Sequence, residues 1–231
     1  RVARPQGPTI ESRDELVAYL EAGSKPSDEW RIGTEHEKFG FYRRGQTPVP
    51  YDGERGIKAL LEGLKDRFGG DVVLERGKII ALRRLNFPKG GIISLEPGGQ
   101  LELSGAPLAT LHETEEELRE HLIEVREVGD ELGIGFLGIG FSPKWTLAET
   151  PVMPKARYAI MQRYMPTRGL LGLDMMFRTA TVQVNLDFAD ESDMVTKMRV
   201  GLALQPVATA LFANSPFTVG KPNGFKSYRA E

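Results

Sequence analysis

Between residues 57 and 68, Ile57, Leu60, Leu61, Leu64 and Phe68 recur at intervals of three and four. That spacing puts them on one face of a helix, which Gly69-Gly70 closes. Elsewhere the period drops to two. The segment 31–42 predicts a strand with Ile32, Phe39 and Phe41 as core candidates. Val72–Leu74 and Lys78–Leu82 predict two strands around Glu75-Arg76-Gly77. Ile92–Leu95 and Gln100–Leu103 predict two more, separated by Pro97-Gly98-Gly99, which must interrupt regular pairing. Ser12-Arg13-Asp14-Glu15 has the capping-box pattern and opens a short helix ending at Gly23.

A long helix is predicted over about 111–132, capped through Thr110 or Thr114, with the stripe Leu111, Leu118, Leu122, Val125 and Leu132. Gly133–Gly140 predicts a buried strand and Pro154–Met165 a helix. Phe177–Phe188 is the clearest alternation in the chain. Its Ala180, Val182, Val184 and Leu186 face is expected in the core, and the Thr, Gln, Asn and Asp face outside it. Ser192 is read as the cap of a last helix reaching about Phe212, kinked at Pro206. Strands joined by short turns, with helices between them and no regular βα alternation, predict an α+β fold with a largely antiparallel sheet.

Composition narrows the function classes. Thirty Lys plus Arg against 32 Asp plus Glu give a net charge of -2, so no broad basic field exists to hold nucleic acid. No apolar run approaches the roughly 20 residues that span a bilayer, so no membrane partner is expected. Cysteine is absent. That removes a thiolate nucleophile, a disulfide framework and a cysteine zinc site, and it suggests a reducing, cytoplasmic setting. The chain has no initiator methionine and stops at Arg229-Ala230-Glu231 without a cap, so it reads as part of a longer polypeptide.

Two acidic pairs carry the candidate chemistry. In Gly33-Thr34-Glu35-His36-Glu37-Lys38-Phe39-Gly40-Phe41, strand parity puts Glu35 and Glu37 on one face and His36 on the other. Alone, such a pair is an ordinary solvated edge; beside a second pair, it suits a hard divalent cation. The second pair is Glu96 with Glu102, with Gln100 between them on the Glu102 face. Gln183, Asn185 and Asp187 form a polar row suited to binding an amino acid or nucleotide, and Arg178 precedes it as a fork for a carboxylate or phosphate. Of the three histidines, His36 is expected to be structural, and His112 and His121 to be solvated on the acidic helix. Neither a Walker loop nor a Gly-x-Gly-x-x-Gly fingerprint is present.

Four segments together resemble glutamate–cysteine ligase in its plant and proteobacterial form. They are Gly33–Phe41, Ser94–Ser104, Met175–Asp187 and Ala213-Asn214-Ser215-Pro216-Phe217, in that order. The resemblance runs from about residue 30 onward. It implies a glutamine-synthetase-like catalytic fold, with residues 1–231 as a single catalytic domain in the N-terminal part of a longer ligase. It implies ATP-dependent joining of the L-glutamate γ-carboxylate to the amino group of L-cysteine through γ-glutamyl phosphate. By motif, Glu35, Glu37, Glu96 and Glu102 would hold Mg²⁺, with Gln100 nearby. Gln183 and Asn185 would line the nucleotide–substrate cavity, Arg178 and Arg229 would meet phosphate or carboxylate, and Arg157, Tyr158 and Tyr164 would border the amino-acid pocket. The regulatory disulfide associated with the plant form cannot form here. A ligase using another amine, or a non-catalytic metal-binding fragment, would share the same acidic pattern.

Overall fold

In the computed structural model, residues 9–85 and 90–230 are described. Helix α1 (Arg13–Glu21) starts where Ser12 accepts from the Glu15 N–H. Strand β1 (Ile32–Tyr42) is the longest, at 11 residues. Helix α2 (Ile57–Phe68) follows, then β2 (Asp71–Glu75), β3 (Lys78–Arg83), β4 (Ile92–Leu95) and β5 (Leu101–Ser104). Helix α3 (Leu111–Leu132) leads into β6 (Ile134–Leu137). Helices α4 (Ala156–Tyr164) and α5 (Gly172–Arg178) precede β7 (Val182–Leu186). Helix α6 (Glu191–Leu211) and the small β8 (Phe217–Thr218) and β9 (Lys221–Pro222) pair complete the chain.

The main sheet is antiparallel throughout, in the order β2-β3-β4-β5-β1-β6, with β7 also paired to β1. Strand β1 organises it. Residues 35–38 pair with β5 along one edge. On the other edge, residues 32–36 pair with β7 and residues 39–42 with β6. One long strand therefore fixes the register of three others, and with it the side chains sharing each face.

The core lies on one side of this sheet. Ile57, Leu60, Leu61 and Leu64 of α2 and Val125 and Val128 of α3 pack against Leu82, Ile93, Leu95, Leu101 and Leu103. The two helices approach closely at Gly63, where a Cβ would meet Val128 Cγ1 at 2.7 Å. Helix α3 begins with the capping box expected of Thr110 and Glu113, and ends on Gly133 in the left-handed conformation, φ 69.

Five expectations change. The buried stripe of α3 is Glu117, His121, Val125, Val128 and Gly129, whereas Leu111 and Leu122 are exposed. The apolar period was ambiguous because two polar residues, Glu117 and His121, occupy the buried face. His121 is therefore deeply buried rather than solvated. The alternating run Phe177–Phe188 divides: its start closes α5, whose Met176, Phe177 and Arg178 are buried, and only Val182–Leu186 forms a strand. The parity is as read, but Val182, Val184 and Leu186 are exposed, because α2 and α3 cover β3, β1 and β6 and do not extend over β7. Helix α6 is capped by Asp190 rather than Ser192 and runs through Pro206, with no buried residue.

Candidate active site

The opposite face of the sheet carries the acids. Glu37 on β1 stands directly across from Glu102 on β5, and Glu102 across from Ser94 on β4. The next row holds Ser104, Glu35 and Gln183, and the next Gly33 and Asn185. Glu96 closes the end of β4, its N–H donating to the Gln100 carbonyl at 2.9 Å, which places it diagonal to Glu102. Strand pairing thus brings Glu35, Glu37, Glu96, Glu102, Gln183 and Asn185 onto one surface. Beyond Glu37 the same face turns apolar: Phe39 meets Trp145 edge-on, with ring centroids 6.4 Å apart, and Ala180 joins them.

Each acid has a fixed partner. Glu35 accepts from the Asn185 amide at 3.1 Å, and Glu37 from the Thr181 N–H at 3.0 Å. Ser104 donates to one Glu102 oxygen and Ser94, at 3.5 Å, to the other. Arg157 reaches Glu96 at 3.4 Å and lies over the Tyr158 ring at 5.1 Å. The Tyr158 hydroxyl donates to the Leu95 carbonyl at 2.6 Å, which seats α4 against the end of β4. Arg229 donates through Nε to the Ala180 carbonyl at 3.2 Å. This carbonyl belongs to the peptide whose N–H donates to Glu37, so Arg229 and Glu37 bracket one peptide group.

Two of these carboxylates, Glu37 and Glu96, are costly to ionise as they stand. Burial pushes Glu37 up to about 7, with the charges of Glu102 and Glu35 adding to the rise and the Thr181 N–H and Arg229 opposing it. Burial likewise pushes Glu96 up to about 7, helped by a shared hydrogen bond and charge repulsion with Glu102, while Lys155 and Arg157 pull it down. Like charges opposed on neighbouring strands destabilise a sheet unless a proton or cation lies between them.

Gln100 has a different environment. It is buried, its oxygen accepts from the Gly98 N–H at 2.8 Å, and its amide donates to the carbonyls of Thr179 at 2.7 Å and Met176 at 3.4 Å. It therefore braces the Pro97-Gly98-Gly99 turn against the chain leading into β7. The turn needs glycine at Gly98, where a Cβ would lie 2.1 Å from the Phe177 carbonyl oxygen. Arg178 is buried at the end of α5, paired to Asp174 at 2.6 Å and stacked on Phe141 at 4.7 Å. Its ion pair is with Asp174 rather than with the acids of the sheet face, and its Nε and Nη2 have no hydrogen-bond partner among the described residues. Tyr164 is exposed and accepts from Arg168, outside the acidic face.

Residues that the sequence pattern did not single out also stand here. Lys155 lies 5.6 Å from the Tyr158 ring centroid, and burial lowers its ammonium's proton affinity. Ser94, Ser104 and Thr181 are short polar side chains or backbone donors whose role depends on cross-strand register, which the linear sequence does not display. Across the sheet from the acids, burial pushes Lys38 down to about 7 and His36 down to about 4.

Among the described residues, no three His, Asp or Glu side chains converge as a ready-made metal cage. The donor set instead suits Mg²⁺, which keeps several waters and is held by one or two carboxylates together with substrate phosphates. A directly opposed pair of carboxylates, half-buried Glu37 and buried Glu102, meets that requirement.

Residues 31–231 match the family model for glutamate–cysteine ligase family 2. Over 219 residues the chain is 58% identical to the chloroplastic glutamate–cysteine ligase A of Oryza sativa subsp. japonica, covering 95% of this chain and 43% of that protein. It is 59% identical to the chloroplastic glutamate–cysteine ligase of Arabidopsis thaliana, with 95% and 41% covered. For the Medicago truncatula enzyme of the same name the identity is 58%, with 95% and 42% covered. The chain spans less than half the length of these curated relatives. Their names place those proteins in the chloroplast, which overturns the cytoplasmic expectation. The absence of cysteine does not discriminate between compartments. Among the described residues, no helix is long and apolar enough to cross a membrane. With a profile match over residues 31–231 and relatives sharing more than half of the aligned residues, the chain belongs to glutamate–cysteine ligase family 2.

Proposed function

We propose that the acidic sheet face is the floor of an ATP-dependent glutamate–cysteine ligase catalysing the first step of glutathione biosynthesis. Residues 1–231 are read as one catalytic domain of glutamine-synthetase-like fold. A γ-carboxylate oxygen of glutamate takes the terminal phosphoryl group of ATP, and ADP leaves. The cysteine amine then attacks the acyl carbon, phosphate departs, and the amine proton passes to a base or to water. The observation that carries this reading is the Glu37–Glu102 opposition with Glu35 and Glu96 on the same surface. The family match supports that reaction for the chain.

Glu35, Glu37, Glu96 and Glu102 would hold Mg²⁺, which supplies neutralisation of the phosphate charges when bound. Gln183 and Asn185 line the polar row beside them and orient nucleotide or substrate by hydrogen bonds. Arg229, next to Glu37, is suited to a substrate carboxylate or phosphate. Arg178 would serve the same chemistry through the two donors it has not committed. Arg157 and Tyr158 border the amino-acid side near Glu96. The brace through Gln100 keeps the turn and the β7 approach in register, so these groups are held before substrate arrives.

The test is ADP release by the full-length polypeptide, coupled to a spectrophotometric readout. Turnover is expected only with glutamate, cysteine and Mg²⁺ together. Turnover that is indifferent to cysteine but supported by another amine would move the chain to a different acceptor. Metal binding without any ATP-dependent product would remove the ligase reading.

A further inference from the structure

We propose that Lys38 is a positioning residue, gripping from behind the sheet the two peptide groups that carry Glu37 and Glu102. This rests on the reading of that pair as the cation-holding face. The Lys38 ammonium lies on the core side of the sheet, 2% exposed, level with Leu101 on β5. Its Nζ donates to the His36 carbonyl at 3.2 Å and the Leu101 carbonyl at 3.3 Å, and lies 2.8 Å from His121 Nε2. Three donors thus meet three acceptors on three elements, β1, β5 and α3.

The choice of carbonyls gives the contact its consequence. The His36 carbonyl belongs to the peptide linking His36 to Glu37, and the Leu101 carbonyl to the peptide linking Leu101 to Glu102. One cation therefore ties together the backbone units from which both opposed acids project. Those acids repel each other on the far face and push the strands apart; Lys38 resists the separation at the point where it arises. The neighbours on its own face, Leu101 and Leu103, are fully buried. An apolar side chain of similar length would fill the space without desolvating a charge, so filling space does not account for an ammonium here. His121, 0% exposed on α3, completes the anchor. Groups that orient metal-holding side chains from behind commonly change metal affinity about 10- to 100-fold when removed.

The experiment uses the full-length polypeptide without nucleotide and Mn²⁺ as a paramagnetic probe, with binding read by electron paramagnetic resonance and folding by circular dichroism and thermal unfolding. Lys38→Met keeps the stem and removes all three donors. It is expected to stay folded and to weaken Mn²⁺ binding about 10- to 100-fold. His121→Leu and His121→Gln provide a second pair that leaves Lys38 in place. The leucine removes the third acceptor and is expected to weaken binding, while the glutamine, which retains an acceptor, restores most of it. A folded Lys38→Met protein with parental Mn²⁺ affinity overturns the proposal. So does equal affinity in the two His121 variants. Glu102→Gln separates the two levels: unchanged Mn²⁺ affinity there overturns the cation-holding face itself, whatever the Lys38 variants do.

Discussion

Replacing Glu37 with glutamine should make the metal-free fold more stable at alkaline pH while abolishing its use. The carboxyl of Glu37 is raised from 4.5 to about 7, chiefly by burial and secondarily by Glu102 and Glu35. A carboxyl whose folded value lies above its unfolded value is held better in its protonated form by the folded state. Its contribution to stability is therefore complete below about 4.5 and is lost as pH rises through about 7. At full desolvation this displacement is worth about 3 kcal/mol. Glu37 is only half-buried, so solvent screening reduces the effect to about 1–2 kcal/mol. Glutamine keeps the acceptor for the Thr181 N–H and does not ionise. Thermal unfolding of Glu37→Gln and the parent in EDTA, from pH 5 to 8.5, should show equal midpoints near pH 5. Above pH 7.5 the variant should lead by about 2–8 °C. Added Mg²⁺ should raise the parent midpoint at pH 8 and move the variant much less. His36 titrates in both proteins and largely cancels in the difference, whereas Lys38 loses the support of the Glu37 charge in the variant, which offsets part of the gain. A variant less stable than the parent at pH 8 would refute the claim that an uncompensated carboxylate is held there.

Other outcomes follow from the same geometry. Glu35→Gln and Glu102→Gln should each lower kcat by orders of magnitude in the ADP-release assay, with the far-ultraviolet circular dichroism spectrum unchanged. Gln100→Leu leaves the Gly98 N–H and two carbonyls without their partners and should cost about 2–4 kcal/mol in denaturant unfolding. Gly98→Ala drives a methyl group into the Phe177 carbonyl; it should lower soluble yield and the unfolding midpoint more than Gly138→Ala, where a Cβ meets nothing within 4 Å. Leu61→Ala, in the centre of the α2 contact, should cost about 2–5 kcal/mol.

The sequence was most legible where one local rule acted alone. Helix α2 has four fully apolar core positions at helical spacing, so periodicity alone located it. The Thr110–Glu113 capping box marked the start of α3. Legibility failed where tertiary contacts override pattern. Glu117 is buried because its carboxylate accepts from the Ala106 N–H at 2.9 Å, a partner 11 residues away. Arg178 reads as part of an alternating strand, yet its residue ends a helix because α5 is held against Phe141 and Ser142. The Val182, Val184 and Leu186 face obeys strand parity but finds no covering helix among the described residues. For the site, parity correctly separated Glu35 and Glu37 from His36. Which strand would face them, and that Glu102 would stand opposite Glu37, depended on register between segments more than 60 residues apart.

That register makes β1 a strand with opposite chemistry on its two faces. Glu35 and Glu37 project to the site, while His36 and Lys38 project into the core side. The alternation Glu-His-Glu-Lys therefore becomes a separation of charge across one layer of backbone. The arrangement tolerates no slip: shifting β1 by one residue would drive two glutamates against Leu101 and Leu103 and turn Lys38 toward the site. Alternation thus penalises the wrong register with buried, unpaired carboxylates, a cost of several kcal/mol each. In the observed register the acids face one another on the site side of the sheet, where a cation would relieve them. The features that make the face costly to fold without metal are the same ones that select its register.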